Sequence, residues 1–144
     1  MTKATALLAC LLVFMAAPVA ACGGGDNNNS AAPLDKLAQI GGVAELAADA
    51  WAAAGPAGLY DYLDASVTAR CTKPQLEAAL KDQELPTAFH GMESVVFQST
   101  DAHATLNLIF HNDHRKVEWV FVPTAANSWR LTSVPGLEKC GGSS

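Results

Sequence analysis

Apolar residues along this chain change their spacing at about residue 93, helical before it and alternating after it. Val43, Leu46, Ala47, Ala50, Trp51 and Ala54 recur at helical spacing and predict one amphipathic helix, with Glu45, Ala48 and Asp49 turned away from its apolar face. Gly55-Pro56 stops that helix, and a proline suits the first position of the next. "GPAGLYDYLDASV" predicts a short second helix carrying Leu59, Tyr60 and Leu63. In "CTKPQLEAALKD", Thr72 followed three residues later by Gln75 is a capping box, and Pro74 falls in the first turn. Leu76, Ala79 and Leu80 give this third helix its buried stripe, and Pro86 bars its continuation.

Beyond residue 93 the period is two, and "SVVFQS" (94–99), "ATLNLIFH" (104–111), "VEWVFV" (117–122) and "SWRLTSV" (128–134) predict four strands. Their connections, "TDAH", "NDHRK" and "PTAAN", are short and polar, which favours an antiparallel meander. One face collects Val95, Phe97, Leu106, Leu108, Phe110, Val117, Trp119, Phe121, Trp129 and Leu131. The other carries Gln98, Asn107, His111, Glu118, Arg130 and Thr132 and is expected to be wet. The expected fold class is α+β: three N-terminal helices packed on a curved antiparallel four-stranded meander over residues 35–140, with a short tail at 141–144.

Composition narrows the function classes. At 144 residues, 50% of them hydrophobic, the chain has room for one ordinary domain. A net charge of −5 and the lack of any Lys/Arg run argue against a nucleic-acid partner. The sequence holds no GxSxG, HExxH, P-loop or dinucleotide fingerprint, and no cofactor is expected.

The first segment has a different purpose. "MTKATALLACLLVFMAAPVAAC" places Lys3 before an apolar run at 4–17, then Pro18 and small residues ahead of Cys22, the plan of a secretory signal peptide over residues 1–21. The run is shorter than the roughly 20 residues a membrane-spanning helix needs. Val19, Ala20, Ala21 and Cys22 resemble the lipobox of bacterial lipoproteins. That resemblance implies a diacylglyceryl thioether on Cys22, cleavage after Ala21, and attachment to the cell membrane or outer membrane on its extracytoplasmic side. The alternative is an ordinary signal peptide that leaves Cys22 free or removed. Residues 22–34, "CGGGDNNNSAAPL", contain almost nothing that can be buried and read as a flexible tether.

Of the four cysteines, Cys10 leaves with the signal peptide and Cys22 takes the lipid. Cys71 and Cys140 remain, and after export such a pair makes a disulfide more often than two free thiols. Neither has a CxxC partner to suggest redox or zinc chemistry.

"AADAWAAAGPAGLYDYLDAS", "ARCTKPQLEAAL" and the closing "WRLTSVPGLEKC" together resemble the nuclear transport factor 2-like superfamily, over roughly residues 43–140. The resemblance implies a cone-shaped α+β fold that elsewhere serves isomerases, cyclases, dehydratases, binding modules and accessory domains. Where its members are enzymes, an Asp or His inside the cone acts as general base. Asp61 and Asp64, beside Tyr60 and Tyr62, are the nearest matches, with Glu118 and His111 behind them. The competing role for Asp61 and Asp64 is to cap or solvate the short helix. His111 and His114 flank a turn in "HNDHRK", where Asn-Asp is ordinary turn chemistry, while His90 and His103 stand isolated.

Two functions are consistent with these residues. One is a lipid-anchored, non-catalytic module that binds a small apolar ligand or another envelope protein, with a homodimer left open. The other is a small cofactor-independent enzyme of isomerase or dehydratase type.

Overall fold

The computed structural model describes residues 34–111 and 113–141; the signal segment, Cys22 and the tether up to residue 33 lie outside them. Helix α1 runs Leu34–Ala54, α2 Pro56–Leu59, α3 Ala65–Thr68 and α4 Lys73–Leu80, with a 3-10 turn at Tyr60–Tyr62. Strands β1 (Ala88–Phe97), β2 (Ala102–Phe110), β3 (Asp113–Pro123) and β4 (Trp129–Ser133) follow, and a 3-10 turn at Leu137–Lys139 closes the chain. The four strands form one antiparallel sheet in sequence order, so the fold is α+β with the helices preceding an open meander.

Helix α1 differs from its sequence reading in length and in phase. It starts at Leu34 rather than near Val43, taking in the last residue expected to be tether. Its buried residues are Ile40, Ala44, Ala47, Ala48 and Trp51, while Leu46 is 57% exposed. The stripe at i, i+4, i+7 and i+8 follows the small residues, because alanine lets the helix axis approach the sheet. Ala48 is therefore inside and Leu46 outside, the reverse of what was expected.

The second helix is also not continuous. Gly55, at φ 69°, ends α1 in a conformation that glycine adopts without strain, and Pro56 opens α2. A Cβ at Gly58 would stand 2.0 Å from the Ala50 carbonyl oxygen, so α2 lies in backbone contact with α1. The chain then tightens to 3-10 geometry and leaves helical space at Leu63. Leu63 bridges Leu131 in parallel, and the Asp64 amide donates to the Leu131 carbonyl at 2.8 Å, pinning this segment along the free edge of β4. Asp64 restarts the helix as the N-cap of α3.

Helix α4 follows its sequence reading. Thr72 and Gln75 form the reciprocal capping box, Pro74 sits in the first turn, and Leu76 and Leu80 are fully buried. Just before it, Cys71 is bonded to Cys140 across 69 residues, with the Cα atoms 5.5 Å apart. The Arg70 guanidinium donates to the Cys140 carbonyl at 3.1 Å and braces the same junction.

Strands β1, β2 and β3 are longer than alternation alone suggests, while β4 is two residues shorter than its 128–134 reading. Strand β1 begins at Ala88, not residue 94, because two register shifts against β2, at Phe89/Gly91 and Met92/Ser94, break its period. Such bulges bend a strand and increase its twist. Strand β3 begins at Asp113, not Val117, because Phe110 pairs directly with Asp113. That pairing leaves a two-residue turn, and His111 enters it at φ 52°, the left-handed geometry that matches hairpin twist. On the inner face Leu106, Leu108, Phe110, Trp119, Phe121, Trp129 and Leu131 are buried as expected, with Val95, Phe97 and Val117 partly covered. Trp119 is the centre of this core, its ring 6.1 Å from Trp51 and 6.4 Å from Phe121.

Candidate functional site

The four acid–base candidates do not converge. Asp64 caps α3, its Oδ1 accepting from the Ser66 amide at 2.9 Å. Hydrogen bonds from the Ser66 hydroxyl and amide hold its carboxyl below the usual aspartate value. Asp61 is exposed and accepts a hydrogen bond from Arg130 through its backbone carbonyl, not through its side chain. Glu118 lies on the outer face of the sheet, opposite Thr105. His111 sits at the β2–β3 turn, exposed, with Nδ1 3.0 Å from Glu84 Oε1. The capping role therefore accounts for Asp64.

Two histidines expected to stand alone do not. His103 lies between two carboxylates, Nδ1 3.1 Å from Glu118 and Nε2 3.5 Å from Asp101. His90 meets His114 edge-on, with ring centroids 5.0 Å apart. His114 pairs with Ile109 on the outer face, so His111 and His114 do not share a site. Among the described residues no group of three or more His, Cys, Asp or Glu is placed to hold a metal ion.

The interior carries the more informative arrangement. Among the described residues no polar or charged residue is buried. Trp51 and Trp119 nevertheless bring two indole N–H groups inside, and neither finds an acceptor. Both rings line a cavity of about 100 Å³, whose walls are completed by Leu108, Phe110, Val117 and Pro135. Gln83, Glu84 and Arg115 stand at its mouth.

Arg115 reaches this mouth because β3 alternates. It pairs with buried Leu108 and so shares the inner face with Val117 and Trp119. Its guanidinium lies 4.7 Å from the Phe110 ring centroid and bonds Glu84 at 2.6 Å and Asp113 at 2.9 Å. Arg115 and, next, His111 hold the Glu84 carboxyl below its ordinary value. Asp113 and Glu84 in turn raise the Arg115 guanidinium further. Glu84 and Arg115 escaped the sequence reading, although counting inward from Trp119 by twos places Arg115 on the core side. Glu84, from the α4–β1 connection, offered no local signal.

At the opposite end of the sheet a wider open groove of about 590 Å³ runs between the start of α1 and the β1–β2 and β3–β4 turns, floored by Phe97 and Trp129. These two rings pack edge-on, 6.0 Å apart. Comparison with protein-family models, characterised proteins and solved structures gives no match to this chain.

Proposed function

We propose that this chain is an exported, lipid-anchored lipoprotein of the cell envelope, and that its folded domain is a non-catalytic binding or protein-interaction module of the cone-shaped, nuclear transport factor 2-like kind. The signal segment ending in Val19-Ala20-Ala21-Cys22 supports the anchor, and two lipid chains hold a protein at a membrane where one does not. The Cys71–Cys140 disulfide suits an oxidising compartment outside the cytoplasm.

The observation that carries the non-catalytic reading is the interior itself. Aromatic rings fill it, and none of Asp61, Asp64, His111 and Glu118 reaches it. General acid–base chemistry needs a titratable group within hydrogen-bond reach of a bound substrate. Here Asp64 is engaged in a cap and Glu118 lies on the outer face.

Intact mass and membrane fractionation of the wild type beside Cys22→Ala test the anchor. The wild type is expected in the membrane fraction with lipid mass on Cys22, and Cys22→Ala in the soluble fraction without it. Equal solubility and no lipid on either would remove the anchor reading. Turnover in a substrate screen that vanished in Asp64→Asn or His111→Gln would replace the binding module with an enzyme.

A further inference from the structure

Three of the chain's nine Lys and Arg side chains, Arg70, Lys81 and Lys139, line one open groove of about 550 Å³ beside α4, with Asp82 as its single carboxylate. All three are exposed, and none enters an ion pair among the described residues. Arg115 and Lys116, by contrast, are each bonded to carboxylates. Three cations against one carboxylate leave this groove positive in a chain whose net charge is −5.

The covalent frame brings two of these like charges together. Arg70 and Lys139 each stand one residue ahead of a bonded cysteine, so the Cys71–Cys140 bond sets them side by side across 69 residues of sequence. The Arg70 guanidinium is fixed by its 3.1 Å bond to the Cys140 carbonyl, which uses one of its five N–H donors. A Cβ at Gly141 would stand 2.5 Å from the Arg70 carbonyl oxygen, so the two walls meet backbone to backbone. Like charges held close repel one another, and an anion between them relieves it.

The donor set selects the anion. A phosphate monoester carries close to two negative charges at pH 7 and three strong acceptor oxygens. That matches one guanidinium and two ammonium groups set against one carboxylate, whereas a carboxylate ligand brings a single charge and two oxygens. Position bears on its source. The groove lies next to Gln83, at the end of the sheet where α1 finishes. The tether joins at Leu34, about 30 Å away along a 21-residue helix, which favours a soluble phosphate over a headgroup of the anchoring membrane.

We propose that the groove of Arg70, Lys81 and Lys139 binds the phosphate group of a small soluble molecule. The proposal rests on the reading of the domain as a binding module and adds the chemistry of one ligand.

Amide resonances of the ¹⁵N-labelled full chain in maltoside micelles, titrated with inorganic phosphate at constant ionic strength, test it. Phosphate is expected to move Arg70, Lys139 and Gly141 saturably, with half-saturation on the order of millimolar. Lys81→Gln and Lys139→Gln should each weaken binding roughly three-fold, and the double variant about ten-fold. Lys36→Gln, in the groove at the other end of the sheet, should change nothing. Acetate should bind more weakly than phosphate.

A linear shift without saturation, acetate or chloride acting as well as phosphate, or an equal loss in Lys36→Gln would overturn the proposal. So would movement of the same amides by phosphatidylglycerol added to the micelles where inorganic phosphate has no effect, since the occupant would then be a lipid headgroup. Neither Asp64 nor His111 lines this groove. Failure of the titration therefore removes this ligand alone, while turnover that vanished in Asp64→Asn or His111→Gln removes the module reading.

Discussion

Replacing Cys71 and Cys140 together by alanine should lower the stability of the domain more than any surface change. The bond joins residues 69 apart in sequence, and both sulfurs are buried. Most of its effect falls on the unfolded chain, which it prevents from separating these two points. The loop-entropy relation gives about −15 cal/mol/K for a loop of this length, or about 4 kcal/mol at 25 °C. For a domain of this size that corresponds to a fall in Tm of about 15–20 °C. Thermal melts followed by circular dichroism, on wild type with and without reductant and on the double alanine variant, measure it. Reduced wild type and the variant should agree, because the packing lost with two sulfur atoms is small beside the entropy term. Both should show a larger denaturant m-value than the oxidised protein, since their unfolded chains expose more surface. A Tm difference under about 5 °C, near 1 kcal/mol, would refute the loop-entropy reasoning.

Three further outcomes follow from local geometry. Gly58→Ala should cost about 3 kcal/mol or more by denaturant melt, because the new Cβ would stand 2.0 Å from the Ala50 carbonyl oxygen and α1 and α2 must part; Gly42→Ala, with open space around it, should not destabilise. Asp64→Ala should cost about 1 kcal/mol through the lost cap on α3, and Asp64→Asn much less. The Glu84 carboxyl is held below its ordinary 4.5 in the folded chain, so folding favours its charged form. That contribution is complete above about pH 4.5 and is lost as the pH falls through the lowered folded value. The stability gap between wild type and Glu84→Gln should therefore close in acid, and a gap unchanged between pH 7 and pH 3 would refute the ion pair's role.

What could be read from the sequence was mostly local. The capping box at Thr72 and Gln75 involves neighbours in one turn, so residue types alone specify it. The meander was legible because alternation and short polar turns act within each hairpin. The phase of α1 was not, since a helix rich in alanine has little contrast around its circumference, and Leu46 drew the expected face away from the true stripe. The start of β1 was hidden because a bulge inverts the inside–outside pattern on either side of itself. Of the candidate residues, Cys71 and Cys140 were paired by elimination, whereas the Glu84–Arg115–His111 cluster joins segments distant in sequence. The unanswered indoles of Trp51 and Trp119 belong to packing, which no periodicity describes.

The Cys71–Cys140 bond makes α4 and all four strands part of one covalent ring, with α1, α2 and α3 on a branch outside it. All three hairpin turns, including the exposed stretch 125–128, lie on the ring. A protease that cuts a turn there opens the ring without releasing a fragment, and the Cys71–Cys140 bond keeps the two pieces covalently joined until a reductant arrives. A cut ahead of Cys71 breaks the covalent link between branch and ring, leaving only packing such as Trp51 on Trp119 and the Leu63–Leu131 bridge to hold them together. A single cut therefore leaves the chain in one covalent piece where its turns are most accessible and divides it only outside the ring.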